Sequence, residues 1–385
     1  MSGGLPRIGV LGAGQLGLML AQAARNLDIA CRFYGDSGDA PGAAMGTVIS
    51  GSLDDDARLA RFAAGLEVVT YEWENIPVSA ALRIAEFTPV LPPVRALEAS
   101  QDRLTEKRFF AELGEPTARF APVDSREALD EAIVAIGFPA VLKTRRLGYD
   151  GKGQAVLRQP GDLDIAWNAI GGCPLLLEQW VSFDRELSVI GVRGRDGSIV
   201  CYPLIENQHG AGILRVSTAP APGLTGETMA AAARCVTRVL TALDYVGVLA
   251  IELFDVGGRL LVNEMAPRVH NSGHLTIEGA VTSQFENHVR AILGLPLGDA
   301  GLRGFACTVN IIGDLPPVSE VLAITGAHLH LYGKSPRPGR KLGHVTVCAD
   351  TLAEARDRRR RVEAIVAQEL AGAATYPSGA GSHHD

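Results

Sequence analysis

An apolar run, Ile8-Gly9-Val10-Leu11, leads directly into Gly12-Ala13-Gly14-Gln15-Leu16-Gly17 and then into Leu18-Met19-Leu20-Ala21-Gln22-Ala23-Ala24. Strand, glycine turn and helix in that order are the context in which a GxGxxG spacing carries structural meaning. Glycines allow the tight turn and a close backbone approach, and the helix N-terminus offers unpaired N–H groups to an anion. The start of the chain is thereby committed to a parallel, Rossmann-like α/β unit. A second strand, Ile29–Tyr34, ends near Asp36, where a dinucleotide-binding unit carries its ribose-binding acid. Two readings stay open: a nicotinamide or flavin site, or glycines that serve helix–strand packing while the helix end faces another anion.

The strand Glu67-Val68-Val69-Thr70-Tyr71 runs into Glu72-Trp73-Glu74-Asn75-Ile76-Pro77. Open α/β sheets bind ligands beyond the carboxyl ends of their strands, so Glu72 and Glu74 are candidates to hold a polar substrate. They would serve equally as acids favoured at a helix N-terminus. Prolines in Val90-Leu91-Pro92-Pro93 close this unit, and 385 residues exceed one compact core, so further domains follow. The net charge of −7 argues against general binding of nucleic acid or anionic membrane. Six scattered cysteines without a CxxC pair suit free thiols in the cytoplasm. No apolar run reaches the roughly 18 residues of a membrane span, and the N-terminal residues lack the regions of a signal peptide. The small, polar tail, 376–385, is expected to be disordered.

The middle of the chain holds a second glycine cluster, Gly148-Tyr149-Asp150-Gly151-Lys152-Gly153-Gln154, after the apolar strand Ala140-Val141-Leu142-Lys143-Thr144. Its backbone amides and lysines could cradle phosphate, or it could be a tight hairpin turn between Val141 and Val156. The charged helix Gln101–Phe110 reads as a solvated face in its Arg and Lys positions. The strand Pro174–Val181 ends in Glu178-Gln179-Trp180-Val181, an extended hinge able to offer backbone groups to an adenine edge. Glu186 opens the next strand, and His209, a lone histidine, is by default structural.

Two later strands, Val246–Phe254 and Arg259–Met265, flank the turn Asp255-Val256-Gly257-Gly258 and bring Glu252 towards Asn263-Glu264. Neighbouring buried carboxylates repel, and a divalent cation resolves the conflict. Magnesium held by one or two carboxylates, with phosphates and water completing its shell, is the usual arrangement at nucleotide sites. The alternative is a solvent-facing pair, which the apolar flanks disfavour. Pro267-Arg268-Val269-His270-Asn271-Ser272-Gly273-His274 follows and can hold an anionic or carbonyl group. Near the C-terminus, Lys334, Arg337, Arg340 and Lys341 lie in one proline-stiffened loop, which suggests a phosphomonoester site in an otherwise acidic chain. The run Arg356–Arg361 sits on a helix and reads as a solvated face.

Lys143, the 148–154 loop, Glu178–Val181, Glu186, Glu252 and Asn263-Glu264 occur in the order of the ATP-grasp superfamily, which the chain resembles. With Gly12–Gly17, Thr70–Asn75, Pro267–His274 and Tyr332–Val345 included, nearly the whole chain is similar to the N5-carboxyaminoimidazole ribonucleotide synthetase family of purine biosynthesis. One departure is Leu18-Met19, where members often carry Arg-Met.

The resemblance implies an α/β fold with an α+β core. It has a Rossmann-like domain at 1–99, an ATP-grasp domain at 100–296 with a mobile lid at about 105–180, and a small β-rich domain at 297–375. It implies that ATP and bicarbonate carboxylate the amine of 5-aminoimidazole ribonucleotide through carboxyphosphate, in a cytoplasmic homodimer. ATP would be held by Arg103, Lys143, Gly148, Tyr149, Asp150, Gly151, Lys152, Gly153 and Gln154, and by His209, Asn263 and Glu264. Glu178, Gln179, Trp180 and Val181 would read adenine and Glu186 the ribose. Glu252 and Glu264 would hold two magnesium ions. Gln15, Glu72, Tyr149 and Asp150 would meet the ribonucleotide, Arg268, His270 and Asn271 the bicarbonate, and Lys334, Arg337, Arg340 and Lys341 the substrate phosphate. Arg268 and Lys143 are the expected catalytic residues. Three rivals are a sister ligase such as the formate-dependent glycinamide ribonucleotide transformylase, an NAD-dependent oxidoreductase, and a nucleotide-binding protein without activity.

Overall fold

The computed structural model of the chain describes residues 7–35, 40–148 and 152–373. Asp36, Tyr149, Asp150, Gly151 and the tail 376–385 lie outside the described residues.

Strands β1 (Arg7–Leu11), β2 (Ala30–Tyr34), β3 (Thr47–Ile49) and β4 (Val68–Tyr71) form a parallel sheet in the order β3-β2-β1-β4. Leu11 and Tyr71 are register partners, so the glycine turn and Glu72 leave the sheet side by side. Helix Gln15–Asn26 buries Leu16, Leu18, Met19 and Leu20. Met19 and Leu20 share a core with Phe285 and Val289 of helix Gln284–Ile292, which locks this unit to the rest of the chain. Leu18, the residue that departs from the Arg-Met pattern, is itself buried on this helix.

Strands β5 (Phe120–Val123), β6 (Ala140–Thr144), β7 (Gln154–Leu157) and β8 (Leu175–Gln179) form a separate antiparallel sheet, β5-β8-β6-β7. Helix Arg126–Ile136, capped by Ser125 Oγ on the Ala128 amide, packs Leu129 and Ile133 on Leu142 and Leu177. The turn joining β6 and β7 contains the second glycine cluster. Gly153 has φ +69°, and a Cβ there would stand 2.5 Å from Thr144 Oγ1, so no larger residue fits the turn.

A nine-stranded sheet makes up the rest. It contains β9 (Arg185–Arg193), β10 (Ile199–Cys201), β11 (Ile205–Gly210), β12 (Ile213–Ala219), β13 (Gly247–Val256), β14 (Arg259–Ala266), β15 (Phe305–Ile312), β16 (Ala327–Leu331) and β17 (Lys341–Ala349). Its order is β14-β13-β9-β11-β12-β15-β17-β16, with β10 beside β9. The β12–β15 pairing carries the sheet without a break from the central unit into the C-terminal strands. Helix Gly226–Ala242 covers β9 and β13 on one face, burying Val236, Val239 and Leu240. The Gly257-Gly258 turn, with φ +61° and +87°, joins β13 and β14 as the composition predicts.

On helix Arg103–Glu112, Arg108 is exposed as the sequence suggests, but Lys107 departs from that expectation. Glu106 and Lys107 are 2% and 1% exposed, not solvated. Among the described residues, no helix is long and apolar enough to cross a membrane.

Candidate active site

The antiparallel β5-β8-β6-β7 sheet faces the large sheet across a cavity of about 470 Å³. On the upper wall, Lys143 at the end of β6 donates from Nζ to Glu178 Oε2 on β8 at 2.8 Å. Burial opposes ionisation of Glu178, but Lys143 and Lys107 outweigh it and bring its carboxyl down to about 2. The Glu178 side chain is therefore engaged by lysines, and Gln179, Trp180 and Val181 complete the hinge along the cavity wall. Gly148, Lys152 and Gln154 line the same wall. The two readings of this glycine cluster are compatible, because the β6–β7 hairpin, in which Val141 does pair with Val156, opens on the cavity.

On the lower wall, Glu252 of β13 and Glu264 of β14 are direct register partners. Arg103 Nη1 lies 2.6 Å from Glu264 Oε2, and His270 Nε2 lies 3.3 Å from Glu252 Oε1. Burial works against the Glu252 carboxylate, yet the hydrogen bond from His270 and the nearby cations hold its carboxyl down at about 2. Lys107 Nζ donates to the Asn263 carbonyl at 2.7 Å and sits 3.7 Å from Glu178 Oε1, bracing the upper wall against the lower. Burial also pushes the Lys107 ammonium down. Glu186 and His209 hydrogen-bond one another at the cavity edge. Burial disfavours a charged His209, but Glu186 reverses this and raises it. Phe183 and Phe254 stack with ring centroids 4.7 Å apart.

At the inner end, Arg268 holds Glu74 through both carboxylate oxygens, Nη2 to Oε1 at 2.9 Å and Nε to Oε2. Burial alone would raise the Glu74 carboxyl; Arg268 lowers it. Gln15, His270, Asn271 and Lys341 line this end. Lys334 Nζ donates to Gln15 Oε1 from the far end of the chain.

Glu72, Gly153, Lys334, Arg337 and Arg340 do not line the cavity. Glu72 turns into the first glycine turn and accepts from the Gly14 and Gly17 amides; burial pushes its carboxyl up. Arg337 is exposed, and Arg340 donates to the Ser335 carbonyl at 3.0 Å. Cavity-lining residues outside the candidate set include Phe183 and Phe254, and also His274 and Tyr332, which lie within the Pro267–His274 and Tyr332–Val345 motifs without a role of their own; Lys107 braces the walls without lining the cavity. Phe254 had a signal, since it lies two residues beyond Glu252 on one strand. Lys107 lies one helical turn beyond Arg103.

A magnesium ion fits these residues. Asn263 Oδ1 and Asn271 Oδ1 are buried oxygens with no protein hydrogen bond, and the Glu252 and Glu264 carboxylates face one another on neighbouring strands. Among the described residues, no group of three or more His, Cys, Asp or Glu could hold a metal alone. A cation here therefore needs further oxygen ligands, which substrate phosphates supply.

A small antiparallel sheet closing over a larger one, with lysine above and paired carboxylates below, defines an ATP-grasp ligase. The ATP-grasp domain family model matches residues 108–285, the ribonucleotide synthetase preATP-grasp domain 5–101, and the phosphoribosylaminoimidazole carboxylase C-terminal domain 306–358. The chain belongs to the N5-carboxyaminoimidazole ribonucleotide synthase family. It is 48% identical to the Pseudomonas aeruginosa N5-carboxyaminoimidazole ribonucleotide synthase over 362 residues, 94% of this chain and 99% of the relative. The crystal structure of the Thermus thermophilus N5-carboxyaminoimidazole ribonucleotide synthetase superposes with TM-score 0.90 at 52% identity, covering 93% of this chain and 98% of that one. An Aspergillus clavatus N5-carboxyaminoimidazole synthase, solved with ADP and 5-aminoimidazole ribonucleotide, gives TM-score 0.88 at 30% identity over 94% and 99% of the two chains.

Proposed function

We infer that this cavity carries out its family's reaction, the ATP-dependent carboxylation of the amine of 5-aminoimidazole ribonucleotide in purine biosynthesis. Bicarbonate supplies the carboxyl group. The observation that carries this reading is the facing of Glu252 and Glu264 beneath Lys143, with Arg268 and His270 at the inner end of the same cavity.

Phosphoryl transfer depends mainly on positioning and charge neutralisation. Lys143, Arg103, Lys152, His209 and the 148–154 loop take the ATP phosphates. The Glu178–Val181 hinge reads adenine, Glu186 the ribose, and Phe254 packs beneath. Glu252, Glu264 and Asn263 would hold magnesium, which neutralises phosphate charge when bound. A bicarbonate oxygen attacks the γ-phosphorus, the bond to ADP breaks, and carboxyphosphate forms. Its carbon–oxygen bond then breaks to release carbon dioxide and phosphate. The substrate amine adds to the carbon and passes its proton to the released phosphate. Arg268, aimed by Glu74, holds the bicarbonate with His270 and Asn271. Gln15, with Tyr149 and Asp150 outside the described residues, meets the ribonucleotide, and Glu72, turned onto the Gly14 and Gly17 amides, would have to leave them to join it. Lys334, Arg337, Arg340 and Lys341 take its phosphate.

The 105–180 segment acts as the lid that excludes water from labile carboxyphosphate. The domains divide at about 99 and 296. A homodimer in the cytoplasm completes the proposal, and the six free thiols suit that compartment. The deciding assay is ADP release. It is expected with aminoimidazole ribonucleotide plus bicarbonate and absent with glycinamide ribonucleotide plus formate; the opposite pattern would assign the sister ligase.

A further inference from the structure

Four buried side chains that line no part of the cavity connect to His270 in a single row. Ser217 Oγ on β12 donates to Asn207 Oδ1 on β11 at 2.8 Å, and Asn207 Nδ2 donates to Ser188 Oγ on β9 at 3.0 Å. Ser188 Oγ lies 2.7 Å from Ser272 Oγ, which lies 2.9 Å from His270 Nδ1. Ser188 and Ser272 are 0% exposed, Ser217 2% and Asn207 5%. Hydroxyls and an amide at such depth are costly unless paired, and each of these is paired with the next.

The row has one direction. The backbone N–H of Ser272 also points at His270 Nδ1, at 3.4 Å, and an amide can only donate. Nδ1 is therefore an acceptor, and the neutral ring carries its proton on Nε2. The Ser272 hydroxyl then gives its proton to Nδ1 and must accept from Ser188. Ser188, its proton so used, must accept from the Asn207 amide group, which leaves Asn207 Oδ1 to accept from Ser217. A single proton order satisfies every member. Beyond the ring, Nε2 lies 3.3 Å from Glu252 Oε1.

We propose that Ser217, Asn207, Ser188 and Ser272 are positioning residues whose hydroxyl and amide row, together with the Ser272 backbone N–H, holds His270 in the Nε2–H tautomer with Nε2 beside Glu252. The tautomer of a ring is set by the hydrogen bond its other nitrogen makes. Aligned hydrogen bonds also polarise one another, so the row strengthens its last donor, the Ser272 hydroxyl on Nδ1. Its catalytic consequence rests on the assignment of His270 and Glu252 to the reaction site.

The test separates the two layers. In protein with ¹⁵N-labelled histidine, the His270 signals are assigned by their loss in His270→Gln. The wild-type ring is expected to show Nε2 protonated and Nδ1 bare. Asn207→Asp changes shape little, but its carboxylate cannot donate to Ser188 and draws the Ser188 proton towards itself. That reverses half of the row and leaves the 3.4 Å contact from the Ser272 amide as the one fixed donor to Nδ1, so the Nδ1–H tautomer should gain population. Ser188→Ala breaks the row without adding charge and should do the same. In both variants kcat should fall about tenfold, the scale found for partners that orient metal-site ligands, with KM for ATP within about twofold. Protonation of Nδ1 in the wild type would overturn the proposal. So would variants that change only the melting temperature, with the His270 spectrum and kcat as in the wild type. A shifted tautomer at unchanged kcat would support the row and overturn the assignment of His270 to the reaction.

Discussion

Glu72 accepts hydrogen bonds from the backbone amides of Gly14 and Gly17, so a carboxylate of the chain itself occupies the helix N-terminus that a dinucleotide would use. A Cβ at Gly12 would stand 2.5 Å from Glu72 Cγ, and one at Gly14 2.8 Å from Oε1. The glycines make room for this side chain, which removes the basis of the oxidoreductase reading. Nicotinamide dinucleotides should leave the melting temperature unchanged. Gly14→Ala should destabilise the fold by about 1–3 kcal/mol through overpacking against a buried carboxylate. Denaturant unfolding measures this, and a variant as stable as the wild type would show that the turn has slack.

Arg268 is held at both ends of its guanidinium fork by Glu74, a geometry that fixes direction as well as charge. Glu74→Gln keeps the size and removes the charge. Misplacing a positioning cation by about an ångström can cost on the order of a hundredfold in rate. The variant should therefore lose about ten- to a hundredfold in kcat, with KM for ATP little changed. Steady-state ADP release reads this directly, and unchanged kcat would mean that Arg268 keeps its place without Glu74.

Glu264 faces Glu252 across the β13–β14 pair and is met by Arg103. Glu264→Gln should retain the fold, because an amide oxygen can still accept from Arg103. Turnover should drop by about a thousandfold, the rate equivalent of roughly 4 kcal/mol of lost metal and phosphate stabilisation. Circular dichroism checks the fold, and ADP release across a magnesium titration checks the rest. Near-normal activity would end the metal assignment.

The β13–β14 hairpin could be read from the chain because its determinants are local: alternation on both strands and a Gly257-Gly258 turn. The burial of Lys107 is not legible locally, because it depends on the Asn263 carbonyl and Glu178, which lie far along the chain. Glu72 posed the same problem, since its partners Gly14 and Gly17 belong to another strand's exit. The row behind His270 was equally hidden, as Ser188, Asn207 and Ser217 become neighbours only when β9, β11 and β12 pair. Short-range rules locate elements and charged motifs, but they do not tell which polar side chain the sheet will bury.

Lys334 reaches Gln15 across 319 residues of sequence, joining the C-terminal loop to the first helix. Burial lowers the Lys334 ammonium, while nearby Glu72 opposes that shift. If this lysine takes the substrate phosphate, Lys334→Ala should raise KM for aminoimidazole ribonucleotide by about tenfold or more, the scale of one charged hydrogen bond. KM for ATP should stay put. A variant that weakened both substrates equally would point instead to loss of the contact between the chain's two ends.

Asp102 caps helix Arg103–Glu112 by accepting from the Leu104 amide at 3.0 Å and the Thr105 amide at 3.3 Å, and it pairs with Arg145 at 2.9 Å. It thus ties the end of β6 to the helix that carries Arg103. Burial alone would raise its carboxyl, but Arg145 and the two amides outweigh this and lower it. A carboxyl lowered in the folded state binds protons less readily there than when unfolded. Its stabilisation is complete above the ordinary carboxylate range and disappears as pH falls through the lowered value. Asp102→Asn keeps an oxygen for the cap and loses the charge, so it should cost about 1 kcal/mol near neutral pH. The variant's stability should also fall less steeply than the wild type's on acidification below about pH 4. Urea unfolding across that range compares the two, and parallel acid limbs would assign the loss to other carboxylates.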